Sequence, residues 1–168
     1  FRALSSDKRI TWHFIGHLQR NKVRAILDKV TLIHSLDRWP LAVELDGQAR
    51  RRGKVVRVLV QVNVAGEPTK FGLPPGEVPD FVAEAATLPG LRIEGLMTIA
   101  PRTGDPEEVR PVFRRLREMA QELAGIPGAT MRYLSMGMSQ DYVVAVEEGA
   151  NLLRIGTAIF GRRQKEVW

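Results

Sequence analysis

The sequence predicts an α/β fold with a parallel sheet: a (β/α)8 TIM barrel whose first two β/α units are missing from the given residues. Three observations lead there. Apolar, β-branched runs alternate with helical patterns along the chain, the rhythm of parallel strands joined by crossover helices. The run VVRVLVQVNV (55–64) begins almost unbroken apolar, as a strand covered on both faces does. No G-x-G-x-x-G follows a strand, so the competing open, doubly wound sheet lacks its usual signature. A barrel needs eight units, and the two not seen here amount to about 60 residues at the usual spacing. The opening FRALSSDKR reads as the tail of a surface helix, which makes the start look cut. The expected organisation is one barrel domain over 1–168, N-terminally incomplete.

Each element has its own signal. TWHFIG (11–16) reads as the first strand, followed by a short helix from about Leu18 or Gln19. TLIHSL (31–36) is the second strand, with Asp37 placed to cap the helix through PLAVELDGQARRRG. After the strand at 55–64, the Pro- and Gly-rich EPTKFGLPPGE (67–77) is a loop and VPDFVAEAATL (78–88) a helix. LRIEGLMTIA (91–100) is the fourth strand. In 104–125, Asp105 is a good N-cap, Pro106 suits the first helical position, and Glu107 and Glu108 suit the positive dipole end. Val109, Val112, Phe113, Leu116, Met119, Ala120 and Leu123 share one face. Pro111 conflicts with an uninterrupted helix and predicts a kink or a later start. MRYLSMG (131–137), the helix DYVVAVEEGA (141–150) and the strand LLRIGTAIF (152–160) complete the pattern.

Composition excludes several classes. With 168 residues, 44% hydrophobic and 26% charged, the chain can bury one sizeable core. It has no Cys, which rules out disulfides and thiolate chemistry and suits a cytoplasmic setting. No apolar run approaches a membrane span. The net charge of +6 gathers in ARRRGK (49–54), FRRLR (113–117) and GRRQK (161–165). Two of these fall at helix ends or outer faces, and no aromatic platform accompanies them, so no nucleic-acid partner is expected. His13, His17 and His34 do not share a helical face, and no metal site is expected.

Chemistry should collect where barrel strands end, with phosphate beside the last two. Those loops are MGMSQD (136–141) and GTA (156–158). Gly137 and Gly156 would let the backbone approach an anion, and Ser139 and Thr157 add hydroxyls. Singly, each has a plainer reading: Ser139 could cap the following helix, and Gly156 could mark a bulge. Arg154 stands inside an apolar strand, where an unpaired charge is costly. It could pair with Glu94, or point inward beneath the phosphate. A ligand with a phosphate at one end and an acceptor several ångströms away would fit, and pyridoxal 5′-phosphate is such a molecule.

WHFIGHLQRNK (12–22), HSLD (34–37), QVNVAGEPTKFG (61–72), GLMTIA (95–100), LSMGMSQDYVVAVEEGA (134–150) and RIGTAIFGRR (154–163) resemble the pyridoxal phosphate homeostasis proteins. These YggS/PROSC-type proteins are single-domain relatives of the alanine racemase barrel. The resemblance implies a barrel that binds pyridoxal phosphate in vitamin B6 balance, without established catalytic turnover. It places Arg154 against the pyridine nitrogen and Ser139, Gly156 and Thr157 at the phosphate, with Ser135 and Met136 lining the same mouth. It implies no catalytic residue, a monomer, and PLP-dependent apoenzymes as recipients. The family's Schiff-base lysine lies on a first-strand segment like AVSKT, and an asparagine on an FGEN segment; neither is among these residues. Lys22 reads as a solvated helix residue and Lys70 as a loop residue closing on Glu67. A racemase-type enzyme is the alternative function, but it would need a second acid/base from another domain.

Overall fold

The computed structural model describes residues 9–161, so the opening eight residues and 162–165 of the last basic cluster lie outside the described residues. The strands are β1 (His13–Phe14), β2 (Leu32–Leu36), β3 (Val56–Gln61), β4 (Leu91–Met97), β5 (Ala129–Met138) and β6 (Leu152–Arg154). The helices are α1 (Val23–Ile26), α2 (Trp39–Arg50), α3 (Val78–Ala85), α4 (Arg110–Glu122), α5 (Tyr142–Glu147) and α6 (Thr157–Phe160). All six strands pair in parallel, in chain order from β1 to β6. A doubly wound sheet reverses its strand order at a switch point. This sheet never does, and its strand order is that of a barrel wall: a parallel α/β half-barrel.

Two apolar layers follow from strand alternation. Ile33, Val58, Val60 and Ile93 pack outward against Leu41, Phe113 and their neighbours on the helices, forming the main core. Leu32, Leu59 and Met97 point the other way and make a thin inner layer. Each fully buried Leu or Ile contributes about 2 kcal/mol. Toward the strand starts, Arg57 Nε donates to Glu94 Oε2 at 2.8 Å and Arg57 Nη2 reaches Tyr133 Oη at 3.4 Å. Glu94 is therefore taken by Arg57, not by Arg154.

Several boundaries differ from expectation. β1 is two residues long, because Gly16 turns the chain with φ 91°. A 3-10 turn at Arg20–Lys22 precedes α1. Asp37 does not cap α2: Arg38 occupies that position, and the Asp37 carboxylate is held by the Arg38 guanidinium and His17 Nδ1. Asp105 does cap, accepting from the Glu107 amide at 2.9 Å, but it opens a 3-10 turn at Pro106–Val109. α4 then starts at Arg110, so Pro111 sits in its first turn, where the missing N–H costs little. The last strand stops at Arg154, and 157–160 are helical. The Gly156 and Ala158 amides turn to Ser139 Oγ instead of a strand ladder. The basic clusters at 49–54 and 113–117 meet carboxylates: Arg52 and Lys54 pair with Asp28, Arg115 with Glu122, and Arg114 and Arg117 with Glu148.

Candidate functional site

The loops after β5 and β6 meet in one cavity of about 450 Å³. Ser139, Arg154, Gly156 and Thr157 line it together. Ser139 does not cap α5; Asp141 holds that position and accepts from the Met138 amide at 2.6 Å. Released from that task, Ser139 Oγ accepts from Gly156 N at 3.3 Å and Ala158 N at 3.1 Å, joining the two loops. A hydroxyl oxygen is a modest acceptor for two amides, and an anion is a stronger one. Gly137 has φ 88°, and a Cβ there would lie 2.6 Å from Ala145 Cβ, so its role is tight packing of β5 on α5. At Gly156 nothing lies within 4 Å of where a Cβ would stand, leaving its backbone open to the cavity.

Arg154 points inward. Its Nη1 donates to Ser135 Oγ at 2.8 Å and its Nη2 to the Thr98 carbonyl at 2.7 Å. Among the described residues both partners are neutral. Burial draws the guanidinium down to about 10, partly opposed by Asp141, so it stays charged at neutral pH. A guanidinium has five N–H groups, and three remain available. A half-buried cation with spare donors, beside amides held only by a hydroxyl, suits an anionic ligand that also carries a hydrogen-bond acceptor.

Ser135 lies below the mouth, fully buried, and reaches it through Arg154. Met136 does not join it. Strand alternation turns its side chain to the opposite face, where it is fully buried in the helix-side core. Any contact of Met136 with a ligand is left to its backbone. Lys70 closes on Glu67 Oε2 at 2.7 Å, as expected, and also donates to the Ala100 carbonyl at 3.1 Å. Lys22 is exposed in its 3-10 turn. Among the described residues, no group of three or more His, Cys, Asp or Glu could hold a metal ion.

Sequence reasoning missed four residues in or beside the site. The Thr98 carbonyl fixes Arg154, and a backbone acceptor leaves no residue-type signal. Arg102 and Thr103 line the cavity from the loop after β4. His34 suggests in the sequence only a metal ligand, yet its Nδ1 lies 2.8 Å from Ser135 Oγ. The available signal was its phase: two residues after inward-facing Leu32, it shares that face.

The family of the alanine racemase N-terminal domain matches residues 3–164. The pyridoxal phosphate homeostasis protein of Aquifex aeolicus is 48% identical over 158 residues, covering 94% of this chain and 69% of that protein. The protein of that name from Vibrio alginolyticus is 40% identical over 158 residues, 94% of this chain and 67% of its own length. Among solved structures, PipY of Synechococcus elongatus with PLP bound has a TM-score of 0.86 at 36% identity, over 95% of this chain and 74% of that one. An alanine racemase of Clostridium difficile, at 16% identity and a TM-score of 0.75, shares the fold. Sheet order, site geometry and these likenesses agree: the chain belongs to the pyridoxal phosphate homeostasis proteins, within the alanine racemase N-terminal domain family.

Proposed function

We propose that this protein binds pyridoxal 5′-phosphate in the cavity between the β5 and β6 loops, as a carrier in vitamin B6 homeostasis. The observation that carries this reading is Arg154: an inward, desolvated cation with neutral partners and spare donors, set beside the open backbone of Gly156. Ser139, Gly156 and Thr157 supply donors for the phosphate, and Arg154 donates to the pyridine nitrogen. When bound, the cofactor supplies a reactive aldehyde and an electron-accepting ring.

Arg154 shapes that chemistry. It offers only donors and keeps its own proton at neutral pH, so it leaves the pyridine nitrogen unprotonated. A ring held this way draws electrons weakly, which suits holding and releasing the cofactor over turning it over. The relatives' shared name, pyridoxal phosphate homeostasis protein, supports the same reading. The six strands form part of an eight-stranded barrel, one domain with the remaining residues of the chain. The recipients are PLP-dependent apoenzymes, and the setting is cytoplasmic. No helix among the described residues is long and apolar enough to cross a membrane.

Titration with pyridoxal 5′-phosphate, followed by absorbance and by retention on a desalting column, tests the reading. Binding by the parent protein is expected, with Arg154→Ala and Ser139→Ala each weakening it about tenfold or more, the cost of a charge-assisted hydrogen bond. Absence of binding, or two variants that retain the cofactor like the parent, would overturn it.

A further inference from the structure

A line of hydrogen bonds crosses the inside of the half-barrel from β6 to β1. Arg154 Nη1 donates to Ser135 Oγ at 2.8 Å, Ser135 Oγ meets His34 Nδ1 at 2.8 Å, and His34 Nε2 meets His13 Nδ1 at 3.0 Å. Proton positions along it follow from donor counting. Arg154 can only donate, so Ser135 Oγ must accept from it. Ser135 is fully buried and carries one proton. Were His34 Nδ1 also a donor, the hydroxyl would accept twice and its proton would have no partner among the described residues. A buried unsatisfied hydroxyl is costly. Ser135 therefore donates to His34 Nδ1, which must be bare, and His34 carries its proton on Nε2 and donates it to His13. Every bond in the line points away from Arg154.

We propose that His34 is a positioning residue for Arg154. It acts through Ser135 as a neutral acceptor that turns the hydroxyl so that its lone pairs face the guanidinium. The proposal rests on the cofactor-binding reading above, and it assigns a role at that site to a side chain outside the cavity. Three further observations support it. His34 is only 3% exposed, so its ring has no solvent route to another partner. Burial, with His13 and Arg154 beside it, holds His34 down to about 4, which keeps it uncharged at neutral pH. Arg154's other bond, to the Thr98 carbonyl, fixes a single point, and a second contact is needed to set the direction of its free donors.

Nitrogen-15 NMR of the ligand-free protein reads the His34 tautomer directly, and pyridoxal 5′-phosphate and its aldehyde-free analogue 4-deoxypyridoxine 5′-phosphate report on the site. The expected tautomer is Nε2–H, lost or altered in Ser135→Ala. His34→Leu and Ser135→Ala should each weaken both probes about tenfold, and the double variant should be no weaker than either, since all interrupt one line. His34→Asn should restore affinity to within about threefold, because its amide oxygen takes the place of Nδ1 as acceptor. An Nδ1–H tautomer in the parent protein overturns the proposal alone. So does a folded His34→Leu protein that binds both probes like the parent, or a His34→Asn variant no better than His34→Leu. Failure of the parent protein to hold either probe overturns the functional reading, and this proposal with it.

Discussion

His34 and Arg154 are both ionisable groups kept away from water, and burial acts on them alike. Desolvation, reinforced by His13 and then Arg154, lowers His34 from 6.5 to about 4. Between those two values the unfolded chain binds a proton that the folded chain refuses. Stability therefore rises with pH from about 4 to 6.5 and is lost as the solution is acidified through that window. The term is on the order of 3 kcal/mol at its fullest, at about 1.4 kcal/mol per pH unit. His34→Asn removes the titrating group. Thermal unfolding measured from pH 7 down to 4 should show a shallower fall for that variant than for the parent; parallel curves would refute the assignment.

At the next scale, strands and helices are held in register by close backbone approaches and by one buried carboxylate. Gly95 lies where β4 meets β5 with φ 150°, and a Cβ there would stand 1.9 Å from the Tyr133 carbonyl oxygen. No flexible side chain can yield at that contact, because it is backbone. Gly95→Ala should cost roughly 4 kcal/mol or leave the protein insoluble, checked by expression and chemical denaturation. Glu148, near the end of α5, is approached by Arg110, Arg114 and Arg117 from α4 and its start. Desolvation pushes this carboxyl up, but hydrogen bonds from Arg114 and Arg110 outweigh it and hold it below the usual range. Glu148→Ala should destabilise by about 1–3 kcal/mol in a urea titration, since three cations lose a shared partner.

How much of this was legible depends on what kind of force sets each feature. All six strands were readable, because apolar runs record burial. The Asp105 cap and the late start at Pro111 were readable, because each rests on local chemistry. Asp37 misled, since the guanidinium of its neighbour Arg38, with His17 beside it, takes its carboxylate. For Ser139 the plainer capping reading gives way, because its partners lie seventeen to nineteen residues away, on a loop whose position the sequence does not state. Met136 failed on phase, one residue out of step with Ser135. The line from Arg154 to His13 joins four strands, and no local pattern encodes it.

For the whole molecule, the site belongs to the frame as much as to the ligand. Arg154 on β6 is bonded to Ser135 on β5 and to the Thr98 carbonyl just beyond β4, so one side chain ties together three neighbouring stretches of the sheet. A ligand that binds the folded state alone adds stability by mass action, about 2.7 kcal/mol when free pyridoxal 5′-phosphate is a hundred times its dissociation constant. A thermal-shift series should show that rise in the parent protein and lose most of it in Arg154→Ala. The three-way tie made by Arg154 has one more consequence. Because both anchors are protein atoms, the proposed site has its guanidinium aimed by the frame and not by the guest. A carrier built on that plan would need no reordering of this side chain between one load and the next.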